Sequence, residues 1–208
     1  MEKLMETIQT RLAGGGGLLL AIDGRCGCGK STLAAQLRAA FGGSVFHTDD
    51  FYLPFAARAE DWREGIAGNM DLMRLRAEVL EPLRRGESVH YRAYDCPHDR
   101  FFPTREIAPA PLAIVEGSYS QHPLLRELYD LSVFVTASRE TQRARLLARE
   151  GAHFAAFEST WIPLEELARI PLPTAMRAAR KVMESKAREA SGIKKSSLTE
   201  NNGENKRK

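Results

Sequence analysis

The segment AIDGRCGCGKSTLAAQL, residues 21–37, constrains the fold more than any other stretch of the chain. A short unbroken apolar run, Leu18 to Ile22, leads into glycines and then into a helix-forming sequence. Such a run is expected of a strand buried on both faces of a parallel sheet. Between strand and helix, GRCGCGKS fits the spacing G-x-x-x-x-G-K-[ST] at Gly24, Gly29, Lys30 and Ser31. Gly24, Gly27 and Gly29 let the backbone turn tightly and point its N–H groups inward. A helix starting near Lys30 adds unpaired N–H groups and the positive end of its dipole. The stretch therefore predicts a phosphate cradle, with Lys30 reaching the β- and γ-phosphates and the Ser31 hydroxyl ligating magnesium. A glycine-rich turn with an incidental lysine is the competing reading, and the flanking strand and helix argue against it.

Cys26 and Cys28 stand at the free positions of that motif. C-x-C lacks a second ligand pair at metal spacing, and three cysteines in all form no disulfide framework. They read as filler, and a reducing cytoplasm is the expected location. No apolar run approaches the roughly 18 residues of a membrane span. The net charge of +3 resides wholly in the tail from Lys194 onward, which holds five bases and two acids. The remainder balances, so bulk charge gives no case for nucleic-acid binding.

The rest of the chain alternates strand and helix signals. Leu4, Met5, Ile8 and Leu12 have helical spacing, stopped by Gly14 to Gly17. Ser31 to Phe41 is a predicted helix and Ser44 to Thr48 a second strand. Residues 54–70 are irregular and polar, and Asp71 to Arg84 is helical. A loop-rich stretch from Tyr91 to Pro111 precedes two further buried strands, Leu112–Gly117 and Leu131–Val135. Arg139 to Arg149 is a basic helix with Ser138 as N-cap and Gly151 as stop. This alternation predicts an α/β fold with a mainly parallel sheet.

Two acids then bear on what happens to a bound phosphate. In a parallel sheet the C-terminal strand ends converge on the ligand crevice. The second strand ends in HTDDFYLP, so Asp49 or Asp50 would face the γ-phosphate, where a carboxylate can take a proton from an attacking hydroxyl. Glu116, ending LAIVEG, could hold magnesium through water. Arg143, Arg145 and Arg149 could neutralise charge over the phosphates, or form a solvated face with Glu140 and Glu150. No N-K-x-D sequence sits where a guanine reader needs one. Phosphoryl transfer to a hydroxyl is thus favoured over transfer to water.

In order along the chain, GRCGCGKSTLA, HTDDFYLP, LEPLRRGESVHYRAYDC, IVEGSYSQHPLLRELYDLSVFV and ETQRARLLAREG resemble the uridine kinase-like P-loop kinases, relatives of phosphoribulokinase and bacterial pantothenate kinase. The resemblance runs from about Leu18 to Glu166. It implies a P-loop NTPase-type three-layer sandwich with a mainly parallel five-stranded sheet and the phosphate-loop strand central. It also implies ATP with Mg2+ as donor and a hydroxyl of a small molecule as acceptor, most simply the 5′-OH of uridine or cytidine. Nucleotide binding falls on Gly24, Gly27, Cys28, Gly29, Lys30, Ser31 and Thr32, and metal binding on Ser31 and Glu116. Asp49 matches the family's catalytic base, while Arg145 and Arg149 match its lid arginines approximately. For the substrate the resemblance implies Asp49 and Tyr52, with Asp71 at the ribose and Tyr94 and His98 at the base. Another small alcohol, of pantothenate, phosphoribulose or nucleoside type, and a nucleotide-binding protein with impaired catalysis remain alternatives. No membrane or nucleic-acid partner is expected, and the oligomeric state stays open.

The pattern departs from the family after WIPLEE, where LARIPLPTAMRAARKVMESK holds no strand-like run. The expectation is a C-terminal strand missing or replaced, a helix over Thr174–Ala190, one domain over residues 1–190 and a disordered basic tail over residues 191–208.

Overall fold

The structure is a computed structural model in which residues 1–168 are described. The stretch expected to lack or replace the C-terminal strand, the helix expected over Thr174–Ala190 and the basic tail lie outside the described residues. Helix α1 (Glu2–Ala13) leads through glycines into β1 (Leu18–Gly24), the glycine loop and α2 (Lys30–Phe41). Strand β2 (Ser44–His47) follows, and then a long insertion. Within it, helix α3 runs through Leu72–Leu75, a π-helical turn Arg76–Leu80 and Glu81–Arg84. Four short strands complete the insertion: β3 (Val89–Tyr91), β4 (Tyr94–Asp95), β5 (Arg100–Phe101) and β6 (Arg105–Ile107). The chain returns as β7 (Leu112–Glu116), β8 (Leu131–Val135) and α4 (Arg139–Glu150). The last described element is α5, which comprises Phe154–Ala156, a π-helical turn Phe157–Trp161 and Ile162–Ala168. Each π turn is followed within two residues by a proline, Pro82 or Pro163, which cannot donate to the helical ladder.

The four described strands of the main sheet are parallel, in the order β2-β7-β1-β8, so the strand leading into the glycine loop is interior. Alternate residues of β1 and β7 serve opposite faces. Leu18, Leu20, Ile22, Leu112 and Ile114 join Ile8 of α1 and Leu33, Ala34 and Leu37 of α2. Leu19, Ala113 and Val115 join Phe46, Phe51 and the α3 residues Leu72, Leu75, Val79 and Leu80. Both faces are therefore dry, which is why these strands read as unbroken apolar runs rather than alternating ones. Each fully buried Leu or Ile contributes about 1.5–3 kcal/mol.

The predicted N-cap is in place: the Ser138 hydroxyl accepts from the Thr141 N–H, and Gly151 follows α4. The insertion holds structure that the sequence pattern does not reveal. Strands β3 and β6 pair antiparallel, as do β4 and β5. At two or three residues each, these strands are too short to carry a period.

Candidate active site

The C-terminal ends of β1, β2 and β7 open onto one cleft of about 1070 Å³. The loop between β1 and α2 forms one wall. Gly24 has φ +146°, and a Cβ there would overlap the Val135 carbonyl oxygen on the neighbouring strand. Gly29 has φ +103°, and the nearest atom to a Cβ built on it is Arg145 Nη1, at 3.7 Å, so the loop's mouth is roomy. The first N–H groups of α2 have no partners within the helix, and they stand beside this mouth. Lys30 folds back over the loop, its Nζ donating to the carbonyls of Gly24 (2.8 Å) and Arg25 (3.1 Å). Gly27, Cys28, Gly29, Ser31 and Thr32 line the same wall.

Next to the lysine, the Ser31 hydroxyl donates to Glu116 Oε1 at 3.0 Å, and His47 Nδ1 meets the same oxygen at 2.6 Å. The hydrogen bond that His47 donates to Glu116 raises the pKa of His47. A hydroxyl and a carboxylate side by side are hard oxygen donors of the kind magnesium takes, so these residues suit a metal held beside the loop. Among the described residues there is no cluster of three or more His, Cys, Asp or Glu side chains arranged for a metal.

Of the two acids after β2, Asp49 lines the cleft. Asp50 accepts instead from the Tyr91 hydroxyl (2.8 Å) and from Arg105 (3.1 Å). Asp49 is reached by solvent through the cleft, yet protein on its other sides desolvates it and raises its pKa; the Tyr52 hydroxyl, donating at 3.0 Å, and Lys30 oppose that rise. The cleft thus sets a carboxylate of heightened basicity within the electrostatic reach of the loop lysine.

Helix α4 passes over the loop. Arg145 donates to the carbonyl of Cys28 at 3.2 Å and, at 3.4 Å, to that of Gly27. Arg149 lines the cleft and pairs with Glu150 at 2.5 Å. Arg143 is the solvated member, set over Phe154 and 3.8 Å from Glu158.

Three residues expected at the substrate lie outside the lining of the cleft. Asp71 is the N-cap of α3, accepting from the Arg74 N–H at 3.0 Å. Tyr94 is buried and donates to Asp99. His98 is largely exposed and pairs with Asp95 at 2.9 Å. Tyr52 does line the cleft, together with Asn69, Cys96 and Arg58, which the sequence reading did not single out.

Ser118 and Glu165 were also missed. The Ser118 hydroxyl donates to Glu165 Oε1 at 2.6 Å and lies 3.4 Å from Lys30 Nζ. Glu165 Oε2 accepts from the Cys26 N–H at 2.8 Å. Ser118 could have been found by position, two residues past Glu116 at a strand end. Glu165 gives no such signal, because it arrives from a distant helix. Both loop cysteines are free, and burial pushes the Cys26 thiol up to about 12 and raises Cys28 as well, so neither is a reactive thiolate at neutral pH.

The model of the phosphoribulokinase/uridine kinase family matches residues 19–153. A dephospho-CoA kinase of Rhodopseudomonas palustris is 33% identical over 148 residues, covering 64% of this chain and 71% of that protein. A uridine kinase of Clostridium perfringens is 27% identical over 144 residues, covering 64% and 68%. Among solved structures, a putative fructose transport system kinase from Silicibacter superposes with a TM-score of 0.66 at 23% identity, over 79% of this chain and 91% of that one. That likeness is one of fold.

Proposed function

Because the chain belongs to the phosphoribulokinase/uridine kinase family, we propose that it transfers the γ-phosphoryl group of ATP to a small-molecule hydroxyl, with Asp49 as general base and the 5′-OH of uridine or cytidine as acceptor. The observation that carries this reading is the shared cleft. Asp49, Lys30, Ser31 and Glu116 all line it. In the reaction, the acceptor oxygen forms a bond to phosphorus as the bond to the ADP oxygen breaks. Asp49 takes the hydroxyl proton and later releases it to water. Lys30 exchanges the loop carbonyls for phosphate oxygens, and Arg145, already over the loop, balances charge as it shifts to the leaving group. Ser31 and Glu116 are the residues that would hold magnesium, with His47 fixing the Glu116 carboxylate; the metal, when bound, neutralises charge on the β- and γ-phosphates.

A second reading of the acceptor rests on Arg58. Its guanidinium lines the cleft, donates to the Leu53 carbonyl (3.0 Å) and lies over Phe55. Among the described residues no carboxylate pairs with it at ion-pair distance. A cation held this way on the acceptor side favours an alcohol that carries a phosphate or carboxylate.

Acceptor-dependent ADP release, measured over a panel of nucleosides, sugar phosphates and hydroxy acids, tests both readings. Turnover with uridine or cytidine that Asp49→Asn lowers at least about 100-fold supports the first. Turnover confined to anionic alcohols and lost in Arg58→Ala supports the second. ATP binding without turnover on any acceptor would instead leave a nucleotide-binding protein.

A further inference from the structure

We propose that Glu165 is a built-in occupant of the phosphate loop, a carboxylate that holds the loop's donors until the nucleotide displaces it. The proposal rests on the reading of this loop as a nucleotide site. Its two oxygens engage two donors at the loop: Oε2 takes the Cys26 N–H at 2.8 Å and Oε1 takes the Ser118 hydroxyl at 2.6 Å. Ser118 in turn lies 3.4 Å from the ammonium of Lys30. An anion therefore already holds one of the N–H groups that the motif presents to phosphate, one hydroxyl away from its lysine. Glu165 is only 9% exposed, and a charge so enclosed is tolerated because a hydroxyl and a backbone N–H donate to it, with the Lys30 ammonium behind the hydroxyl.

Its neighbours hold it there. Leu164 is buried, and Glu166 pairs with Arg25 at 3.1 Å. Arg25 is itself buried, within the loop, and also donates to the Ala137 carbonyl. The last described turn of α5 is thus fastened to the loop at two consecutive side chains, Glu165 and Glu166. Once a phosphate oxygen approaches the same N–H, two anions compete for one donor beside one lysine, and the carboxylate must withdraw. Nucleotide binding is then coupled to the undocking of α5, and part of the binding free energy is spent on it.

Calorimetric titration of MgATP into the full chain tests this, with wild type, Glu165→Gln, Glu165→Ala and Lys30→Ala compared. Glu165→Gln keeps the shape and loses the charge. Both Glu165 variants are expected to bind MgATP about five- to tenfold more tightly than wild type, while the thermal midpoint without nucleotide falls because the Ser118 hydroxyl and Cys26 N–H lose their anion. Unchanged or weaker affinity in both variants would overturn the proposal, since a merely structural or nucleotide-positioning glutamate gives that result. Failure of the nucleotide reading looks different: MgATP then binds none of the proteins, or binds Lys30→Ala as well as wild type.

Discussion

Glu116 Oε1 is shared by Ser31 at 3.0 Å and His47 at 2.6 Å, and this single oxygen links the loop to a titratable ring. Held by Glu116, His47 keeps its proton above the ordinary value of 6.5. A folded pKa above the unfolded one means that the native state binds the extra proton, so stability falls as pH rises. The His47–Glu116 contribution is whole below about pH 6.5 and is lost as pH climbs through the raised folded value. The His47 side chain is 48% exposed, so the effect is modest. Urea midpoints of wild type and His47→Gln should differ most below about pH 6.5 and converge as pH rises through the raised folded value; a pH-independent difference would count against the pair. At this scale Lys30, Ser31, Asp49 and Glu116 were legible, because each stands at a motif position or a strand end. Arg58 was not, since nothing in its neighbourhood of sequence marks which way a loop arginine faces.

At the level of elements, the main strands and helices were legible because burial on both faces leaves apolar runs, and because Ser138 and Gly151 mark the ends of α4. The insertion was less so. Its β3–β6 pair depends on contacts between residues 14 to 18 positions apart, such as Val89 with Ile107 and Tyr91 with Arg105, and the two- and three-residue strands carry no local signature. Asp71 shows how an element can claim a residue. Its carboxylate caps α3 and pairs with Arg74 at 3.5 Å. Asp71→Ala should lower the stability to urea by about 1 kcal/mol and leave the acceptor KM as in wild type. A tenfold rise in KM with stability intact would return the residue to the substrate.

Across the whole molecule, one cleft draws on elements far apart in the chain. Lys30 comes from the loop, Asp49 from the end of β2, Arg145 from α4 and Glu165 from α5. The ring of Trp62 in the insertion also meets that of Trp161 in α5, with centroids 6.0 Å apart. Ligand binding to such a site stabilises the native state, by about 2.7 kcal/mol at a ligand concentration one hundred times Kd. MgATP should therefore raise the thermal midpoint of the wild type, and Lys30→Ala should abolish most of that rise. An equal rise in Lys30→Ala would remove the loop from nucleotide binding.

By itself the sequence determined the α/β class, the phosphate loop and the acids at the strand ends, because each depends on short-range spacing: a buried strand, three glycines, a lysine and a helix start within a single segment. Tertiary structure alone decided that Asp49 rather than Asp50 lines the cleft and that Glu165 reaches the loop from some 140 residues away. Those outcomes follow from which neighbours satisfy each buried or half-buried charge. Such neighbours are chosen by the packing of distant segments, and no local pattern encodes them.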